Sequence, residues 1–431
     1  MGLCSSFGLS VSRFAACNAR SAVSSWRLWR QGFANRMGAV TVERVVVVGG
    51  GIGGLSLALG LQRRGIAVTV YERASELREI GAGIIMQPNG RNGLVDLGVD
   101  EAVAAVSSCP KVFHACDYAT GEVLGERPNA GFAEMYGLPS LAVHRGDLHA
   151  VLLAAVRAND ADAVHAGHEF VALDQDADGV TARFANGVSD TSPLVVGADG
   201  NGSAVRTEVF GGEPARFNGQ VAFRALIPLD LVPPIVRERE LGMHRGPGRY
   251  LLYYTLRGGE LMNLIGCGQT DVWEQEGWSI PATTAQFLAD YDDFAPHLLD
   301  LIRSVPDGEL FKWGLYDRQP APTWTSGRVA IMGDAAHPMT PFLGQGAAMA
   351  VEDAVVLARA IAGAGDVTEA LDTFQSVRRE RGNDVARWSW EEGRALQDPT
   401  IANKGAAGYG LLDYNPATVP LTIDRGTATS R

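Results

Sequence analysis

The sequence is poor in three features, and each deficit narrows the classes of protein that it can encode. Its five cysteines include no C-x-x-C pair, so neither a redox dithiol nor a zinc site is indicated, and their odd number is typical of a reducing compartment. No apolar run approaches the roughly 20 residues that span a bilayer. Positive charge is also scarce, since a net charge of −12 argues against nucleic acid as a partner. What remains is a globular chain of 431 residues, which is long for one domain and suggests two.

Acidic residues are absent before Glu43, which sets the first 40 residues apart. This segment is rich in serine and carries five arginines, a composition typical of an organelle transit peptide over residues 1–36. We favour the alternative that Met37 is the functional start and that the upstream sequence comes from an incorrect start. The opening MGLCSS also matches the myristoylation pattern. Residues 1–40 are expected to be disordered, and the expected location is cytoplasmic, with an organelle as the alternative.

The first long apolar run is VVVVGGGIGGLSLALGLQRRGIAVTVYER, residues 45–73, and it has the pattern of a dinucleotide-binding unit. Four β-branched residues without a polar break predict a parallel strand that is buried on both faces. Gly49, Gly51 and Gly54 follow in G-x-G-x-x-G spacing, which permits a tight turn, close approach to a pyrophosphate and packing of a helix on the strand. A second strand ends at Glu72, where a carboxylate can accept from a ribose hydroxyl. The alternative is a tight packing turn without a ligand.

A second nucleotide signal lies far downstream, in GRVAIMGDAAHPMTPFLGQGAAMAVEDAVVLARAI. A strand is predicted over Val329–Met332, shortly before Asp334, whose carboxylate suits a ribityl or ribose hydroxyl. The glycine-rich residues 344–346 then begin a long helix, whose free N–H groups and positive dipole end favour an anion. A reduced isoalloxazine carries such a charge and a nicotinamide does not, so FAD is the predicted ligand.

Three segments together resemble the signatures of the single-component FAD-dependent aromatic hydroxylases, in particular the salicylate and 3-hydroxybenzoate hydroxylases. They are Arg44–Glu72, Gly197–Arg206 (GADGNGSAVR) and Gly333–Asp353. The resemblance implies an enzyme that uses NADH or NADPH, FAD and O2 to hydroxylate a small aromatic substrate, carboxylated or polycyclic, through a flavin C4a-hydroperoxide. The alternatives are an epoxidase or dehydrogenase of the same fold, or a flavin-binding module without activity. A monomer or homodimer is expected.

The resemblance also implies which residues hold FAD. Arg145 would reach the flavin, or else be an exposed charge beside a helix start. Asp199 would serve both FAD and the nicotinamide donor, or else form a plain turn. The loop before the long helix would contact the isoalloxazine through its backbone rather than through the Gln345 side chain. The full set is Gly49, Gly51, Gly53 and Gly54 of the glycine-rich turn, Glu72 and Arg73 at the adenosine half, then Arg145, Asp199, Asp334, Pro341, Leu343, Gly344, Gln345, Gly346 and Ala347.

Four residues are candidates for catalysis or substrate binding, namely His337, Arg224, His244 and Tyr253. Arg224 can bind a substrate carboxylate through two hydrogen bonds, or be structural. Tyr253 and Tyr254 alternate across one strand, so at most one of them faces the ligand. His337 and His244 are the possible acid–base groups, because phenol hydroxylation usually needs a base; their alternatives are a structural hydrogen bond and a strand end. No metal is expected. Further apolar candidates for the pocket are Phe223, Met339 and Phe342.

The predicted fold class is α/β. We expect a Rossmann-like FAD-binding domain with an inserted, mostly antiparallel β-sheet substrate domain and a helical C-terminal tail. The FAD-binding domain is assigned to residues 44–110, 140–214 and 312–395, the substrate domain to 111–139 and 215–311, and the tail to 396–431. The substrate pocket is expected between the two domains.

Overall fold

The computed structural model describes residues 42–77, 83–270, 280–398 and 400–422. The expectations for residues 1–40 lie outside these ranges. The strands in them are, in chain order, β1 Arg44–Val48, β2 Ala67–Tyr71, β3 Gly83–Met86, β4 Ser107–Ser108, β5 Val112–Asp117, β6 Val123–Pro128, β7 Leu141–His144, β8 Val164–His165, β9 Phe170–Gln175, β10 Val180–Phe184, β11 Ser189–Ser192, β12 Leu194–Gly197, β13 Arg216–Pro228, β14 Leu241–Gly246, β15 Arg249–Leu256, β16 Leu261–Gln269, β17 Ile280–Pro281, β18 Leu310–Asp317, β19 Thr325–Ser326 and β20 Val329–Ile331.

The α-helices in the same ranges separate these strands. They are α1 Ile52–Gln62, α2 Pro88–Leu97, α3 Asp100–Ala105, α4 Asn129–Tyr136, α5 Arg145–Asn159, α6 Ala204–Phe210, α7 Pro234–Arg239, α8 Thr284–Asp290, α9 Pro296–Arg303, α10 Gly346–Gly363, α11 Val367–Gln397 and α12 Gly405–Gly408. No helix of the described ranges is both long enough and apolar enough to cross a membrane.

A six-stranded sheet, ordered β19-β20-β12-β1-β2-β8, forms the centre of the nucleotide-binding half. All its neighbouring strands run parallel except β19, which is antiparallel to β20. Val45, Val46 and Val47 are fully buried, and because successive residues point to opposite faces, both faces of the sheet are covered. The chain continues from β1 to β2 on one side and reaches β12 on the other. Such a switch in strand order marks the carboxyl edge where open α/β sheets bind ligands.

Helices α1 and α10 pack against each other beside that edge. A Cβ built on Gly53 would lie 3.4 Å from the Ala350 Cβ, and one built on Gly60 would lie 3.0 Å from the Ala358 Cβ. Small residues on both helices therefore let the two backbones approach closely. Since α1 follows β1 and α10 follows β20, both helices begin at the carboxyl edge of the same sheet.

An eight-stranded sheet, ordered β17-β18-β13-β16-β15-β14-β5-β6, forms the second layer. Its strand pairs are antiparallel except β14 with β5. Alternation along β13 divides the two faces. Phe223, Ala225 and Ile227 join one apolar core with helices α7 to α9, while Arg224 and Leu226 face the nucleotide-binding half.

The structure confirms the predicted α/β fold class, with two differences of detail. The expected domain boundary between residues 311 and 312 falls inside β18, and this strand pairs with β13 in the eight-stranded sheet. The chain stays helical through α11, but the described residues after it are mostly irregular. The side chain of Arg245 donates to the carbonyls of Ala395, Asp398 and Ile401, and so caps the end of that helix.

Candidate active site

Glycines shape the turn after β1. Gly49 has a φ of 110°, and a Cβ on it would lie 2.4 Å from the Ala198 carbonyl oxygen. A Cβ on Gly54 would lie 1.9 Å from the Gly49 oxygen, so α1 begins directly against the end of β1. The turn therefore brings bare backbone and a helix N-terminus together, which is the geometry that a pyrophosphate needs.

Glu72 lies beside this turn, just after β2. Its carboxylate accepts hydrogen bonds from the backbone N–H groups of Gly50, at 2.7 Å, and Ala74, at 2.9 Å. A negatively charged acceptor thus stands where a ribose hydroxyl is expected. Arg73 is exposed next to it, whereas Gly53 faces α10 and serves helix packing.

Asp334 and the N-terminus of α10 form a second wall. Asp334 lies in the 3₁₀ turn Gly333–Ala335 after β20, and its side chain is exposed. A Cβ built on Gly346 would lie 3.9 Å from Asp334 Oδ1, so the carboxylate stands beside the first turn of α10. The first N–H groups of that helix have no acceptor within it, and in the described part of the chain the N-cap residue, Gln345, makes no side-chain hydrogen bond to them. The wall therefore offers donors for an anionic ring and an acceptor for hydroxyl groups.

The charge of Arg145 acts on both sides of the cleft. Although solvent reaches the Asp334 side chain, the protein around it displaces much of the bulk water, and this desolvation raises the pKa of its carboxyl; His337 and then Arg145 oppose the shift. Burial lowers the pKa of Arg224, and repulsion from Arg145 lowers it further. Arg145, an exposed residue at the start of α5, thus interacts electrostatically with Asp334 and with Arg224.

Arg224 is a partly buried cation on the sheet face that meets this wall. Its Nε is buried without a hydrogen-bond partner, and no carboxylate in the described ranges pairs with its guanidinium. The Trp313 ring centroid lies 5.0 Å from the guanidinium carbon. Leu252 and Ile265 are apolar neighbours on the same face. Free donors on a cation among apolar side chains suit a flat anion, because a carboxylate can take two parallel hydrogen bonds.

Two other catalytic candidates lie on the opposite face of the sheet. Tyr253 is fully buried in the core beneath α8 and α9, whereas Tyr254 packs with Ala142 of the nucleotide-binding half. His244 alternates to the same far face, where its Nδ1 lies 3.4 Å from the Asp117 carbonyl oxygen and burial lowers its pKa to about 3. Phe223 also points away. The structure thus does not bring Tyr253 or His244 to the cleft, because strand alternation sends them to the other side.

His337 is buried behind the second wall. Its Nε2 lies 2.6 Å from Asp353 Oδ2, and the same oxygen accepts from the Gly333 N–H at 2.9 Å. Its ring packs against Trp324 with centroids 4.9 Å apart. His337 has no exposed surface from which to exchange a proton with a substrate. This geometry matches its structural alternative, in which it holds the turn that presents Asp334.

Asp199 caps a helix in this structure. Its carboxylate accepts from Ser203 Oγ at 2.6 Å and from the N–H groups of Ala204, at 2.8 Å, and Val205, at 3.1 Å. Burial raises its pKa. These bonds shape the loop of the GADG motif, so a contact between Asp199 and a nucleotide stays a prediction.

Comparison with known proteins fits this geometry. A family model described as "FAD binding domain" matches residues 43–232 and 300–389. The 3-hydroxybenzoate 6-hydroxylase 1 of Aquipseudomonas alcaligenes is 34% identical over 348 residues, which are 80% of this chain and 88% of that protein. The 6-hydroxynicotinate 3-monooxygenase of Bordetella bronchiseptica is 32% identical over 351 residues, 80% of this chain and 90% of the relative. The chain belongs to the family of FAD-dependent aromatic hydroxylases.

Solved structures support the same conclusion for the hydroxylase. HpxO of Klebsiella pneumoniae, in complex with FAD and uric acid, aligns with a TM-score of 0.78 and 26% identity over 88% of this chain and 98% of that one. The sequence-based predictions of family, fold and cofactor are confirmed. The hydroxylase is an FAD-dependent monooxygenase, and NADH or NADPH is the typical co-substrate of such enzymes.

The hydroxylase's own residues fit FAD. The Gly49 turn leaves no room for a side chain, Glu72 supplies an acceptor, and Asp334 and the uncapped start of α10 supply an acceptor and donors. These groups lie along one edge of the sheet in the order that a dinucleotide needs. In the part of the chain that the structure describes, no group of three or more His, Cys, Asp or Glu side chains could hold a metal.

The loop before α10 contains a feature that sequence reasoning missed. Pro341 is exposed, Leu343 is buried in an apolar cluster, Gly344 has a φ of 63°, and Ala347 lies in the first turn of α10. The Gln345 side chain is fully buried in a hydrogen-bond network with polar side chains of the segment that begins α2. The contact of the loop backbone with the isoalloxazine stays a prediction, and the Gln345 side chain has in addition a structural role that the sequence did not indicate. A polar residue between two glycines gave no sequence signal of distant partners.

Proposed function

We propose that the hydroxylase acts on an aromatic carboxylic acid with a ring hydroxyl, and that Arg224 binds the carboxylate. The observation that carries this proposal is the partly buried guanidinium of Arg224, whose Nε is buried without a hydrogen-bond partner and which pairs with no carboxylate in the described ranges. A buried charge without a partner is costly, so an anionic ligand at this place is favoured. Two relatives are named for substrates of this kind, 3-hydroxybenzoate and 6-hydroxynicotinate.

The ring would lie between the sheet and the nucleotide-binding half. Leu252 and Ile265 on the sheet and Ile85 on β3 form an apolar cluster around this position. Their side chains would hold the ring and exclude water from the reacting carbon. The flavin would lie against the start of α10, with Asp334 on its ribityl chain and Glu72 on the adenosine half. When bound, FAD supplies the electron transfer and the activation of O2 that amino-acid side chains lack.

Activation of the ring is assigned to positive charge rather than to a side-chain base. Tyr254 and Tyr250 face the cleft side of the sheet, but burial raises the pKa of Tyr254 to about 12 and that of Tyr250 above its usual range. Both phenols stay protonated near neutral pH, so neither accepts a proton efficiently there. The charges of Arg145 and Arg224 would instead favour the anionic form of a hydroxylated substrate.

A panel of matched ligands tests the substrate class. Salicylate, 3-hydroxybenzoate and 4-hydroxybenzoate are compared with the corresponding hydroxybenzamides for acceleration of NADH and NADPH oxidation by the FAD-loaded enzyme. We expect at least one acid to accelerate the reaction and its amide, which has the same shape and no charge, to do so far less. Equal acceleration by acids and amides would show that Arg224 does not select a carboxylate.

We also propose O2 and NADH or NADPH as co-substrates, a monomer or homodimer, and a cytoplasmic location without nucleic-acid or membrane partners. The three cysteines in the described ranges, Cys109, Cys116 and Cys267, are free thiols, which fits a reducing compartment. Sedimentation of the purified enzyme and fractionation of its source cells test these points.

A further inference from the structure

A buried ionic network joins α10 to α11 behind the second wall of the site, which Asp334 and the N-terminus of α10 form and which is called the flavin wall below. Arg378 of α11 is fully buried, and its Nε donates to Asp353 Oδ1 at 2.8 Å while its Nη1 lies 2.7 Å from Glu352 Oε2. Both carboxylates are on α10 and are themselves fully buried. The network includes Arg381, whose Nε lies 2.8 Å from the same Glu352 oxygen. One guanidinium thus holds two consecutive acids.

The first of these acids holds the turn that carries Asp334. Asp353 Oδ2 accepts from the Gly333 N–H at 2.9 Å and lies 2.6 Å from His337 Nε2. The Gly333 N–H precedes Asp334 in the chain, so this bond sets the direction in which the turn presents the carboxylate. With Arg378 on its other oxygen, Asp353 is fixed from both sides.

The second acid holds the glycine-rich loop through two amides. Glu352 Oε1 accepts from Asn89 Nδ2 at 2.7 Å, and the same nitrogen donates to Gln345 Oε1 at 2.7 Å. Gln345 Nε2 in turn donates to Gln87 Oε1 at 3.0 Å. A chain of hydrogen bonds therefore runs from Glu352 to the residue between Gly344 and Gly346.

Stability alone does not account for this arrangement. A buried ion pair has a large desolvation cost, and apolar side chains of similar volume often stabilise a core as well or better. What a buried network provides is a fixed geometry, because each carboxylate oxygen has an assigned partner. The two ends of this network are the two segments that form the flavin wall.

We propose that Arg378 is a positioning residue for the flavin, which fixes Asp334 relative to the loop Gly344–Gly346 without touching the cofactor. The proposal rests on the proposed placement of the flavin against these two segments. Lysine cannot replace Arg378, because one ammonium on a flexible stem does not reproduce a fork that reaches two carboxylates at once. Loss of one contact would let the two segments shift against each other.

The test compares Arg378→Lys with Arg379→Lys. Arg379 is the next residue on α11, is exposed, and donates a hydrogen bond to the Pro322 carbonyl at 3.3 Å. We measure FAD affinity by fluorescence titration of the stripped enzyme and the reduction potential of bound FAD by equilibration with a redox dye. Arg378→Lys is expected to weaken FAD binding by about tenfold or more, by analogy with the loss of a residue that supports metal ligands, and to shift the potential. Arg379→Lys is expected to change neither.

Glu352→Gln provides a second variant of unchanged shape, in case Arg378→Lys does not fold. It keeps the amide hydrogen bonds and removes the charge, and it should also shift the potential of bound FAD. A purely structural network would lower the melting temperature in these variants and leave affinity and potential at the wild-type values, which overturns the proposal. Asp334→Asn distinguishes failure of the positioning role of Arg378 from failure of the proposed placement of the flavin. If Asp334→Asn changes the potential and the network variants do not, only the positioning role of Arg378 is wrong; if Asp334→Asn is also silent, the placement of the flavin is wrong as well.

Discussion

Replacement of Arg224 by methionine tests the proposed recognition of the substrate carboxylate. The partly buried guanidinium carries a free Nε donor, and a hydrogen bond to a charged group contributes about 1.5–3 kcal/mol. Since about 1.4 kcal/mol corresponds to a factor of ten, Arg224→Met should raise the KM for an aromatic acid by about 10- to 100-fold. Arg224→Lys keeps the charge and loses the two-pronged geometry, so it should fall between wild type and Arg224→Met. The assay is the substrate-dependent oxidation of NADH or NADPH.

Two controls make this result specific. Arg216→Met changes an exposed arginine on the same strand, whose ion pair with Glu213 is on the surface and contributes little; its KM should equal that of wild type. The hydroxybenzamide that matches the acid should show the same KM with Arg224→Met as with wild type. If the acid and its amide lose affinity equally, Arg224 supports the sheet rather than the carboxylate, and the reasoning is refuted.

Four further predictions concern the cofactor site and the core. Glu72→Ala removes the carboxylate that accepts hydrogen bonds from two backbone N–H groups and that is expected to bind the ribose. FAD should therefore bind about 10- to 100-fold more weakly, while turnover at saturating FAD changes little. Gly344→Val forces a β-branched residue to a φ of 63°, which costs about 1–3 kcal/mol, and should lower FAD retention or the flavin potential. Gln345→Ala leaves buried amide partners unpaired and should cost about 1–3 kcal/mol of unfolding free energy, measured with urea. His244→Gln tests acid stability. Burial lowers the folded-state pKa of His244 to about 3, whereas the unfolded-state pKa is near 6.5. The contribution of the neutral ring to the free energy of unfolding is therefore fully present above pH 6.5 and is lost as the pH falls from there toward 3. Wild type should lose about 1.4 kcal/mol per pH unit more than His244→Gln across this window.

Each of these predictions has an outcome that contradicts it. Unchanged FAD affinity in Glu72→Ala places the adenosine elsewhere. A Gly344→Val enzyme with normal flavin content and potential shows that the loop backbone is not close to the ring. A Gln345→Ala enzyme as stable as wild type means that its amide partners find water or each other. Parallel stability curves for wild type and His244→Gln mean that the histidine is not buried in neutral form.

The nucleotide-binding half was largely predictable because its signals are contiguous in the sequence. The valine run, the G-x-G-x-x-G turn and Glu72 follow one another within one strand–helix–strand unit, so local rules determine their arrangement. The same holds for Asp334 and the start of α10, which a strand and a short loop bring together.

The substrate side was less predictable because its geometry depends on strand phase. Alternation shows that Tyr253 and Tyr254 face opposite sides, but not which side meets the cofactor domain. That choice is made by distant packing: a Cβ on Gly83 of β3 would lie 2.3 Å from the Tyr254 ring, so the tyrosine packs on that strand. His244 follows the phase of Tyr253 and is placed with it in the core.

The polar network behind the flavin wall was not predictable at all from local pattern. Gln345 finds its partners near α2, and Arg378 finds its partners on α10, so each contact depends on how separate helices pack. Charged residues in a helix usually indicate the face that is exposed to solvent, but Arg378 is fully buried. The role of His337 was equally unpredictable, because it depends on the contact with Asp353 rather than on the motif that contains the histidine.

The most direct test of the account is the origin of the oxygen in the product. The FAD-loaded enzyme is supplied with NADH or NADPH and with the aromatic acid that most accelerates its oxidation, under ¹⁸O2, and the product is analysed by mass spectrometry. The account predicts one ¹⁸O atom in a new ring hydroxyl, and none when the label is supplied as H₂¹⁸O. A product that is oxidised without gaining oxygen, or that takes its oxygen from water, would contradict it.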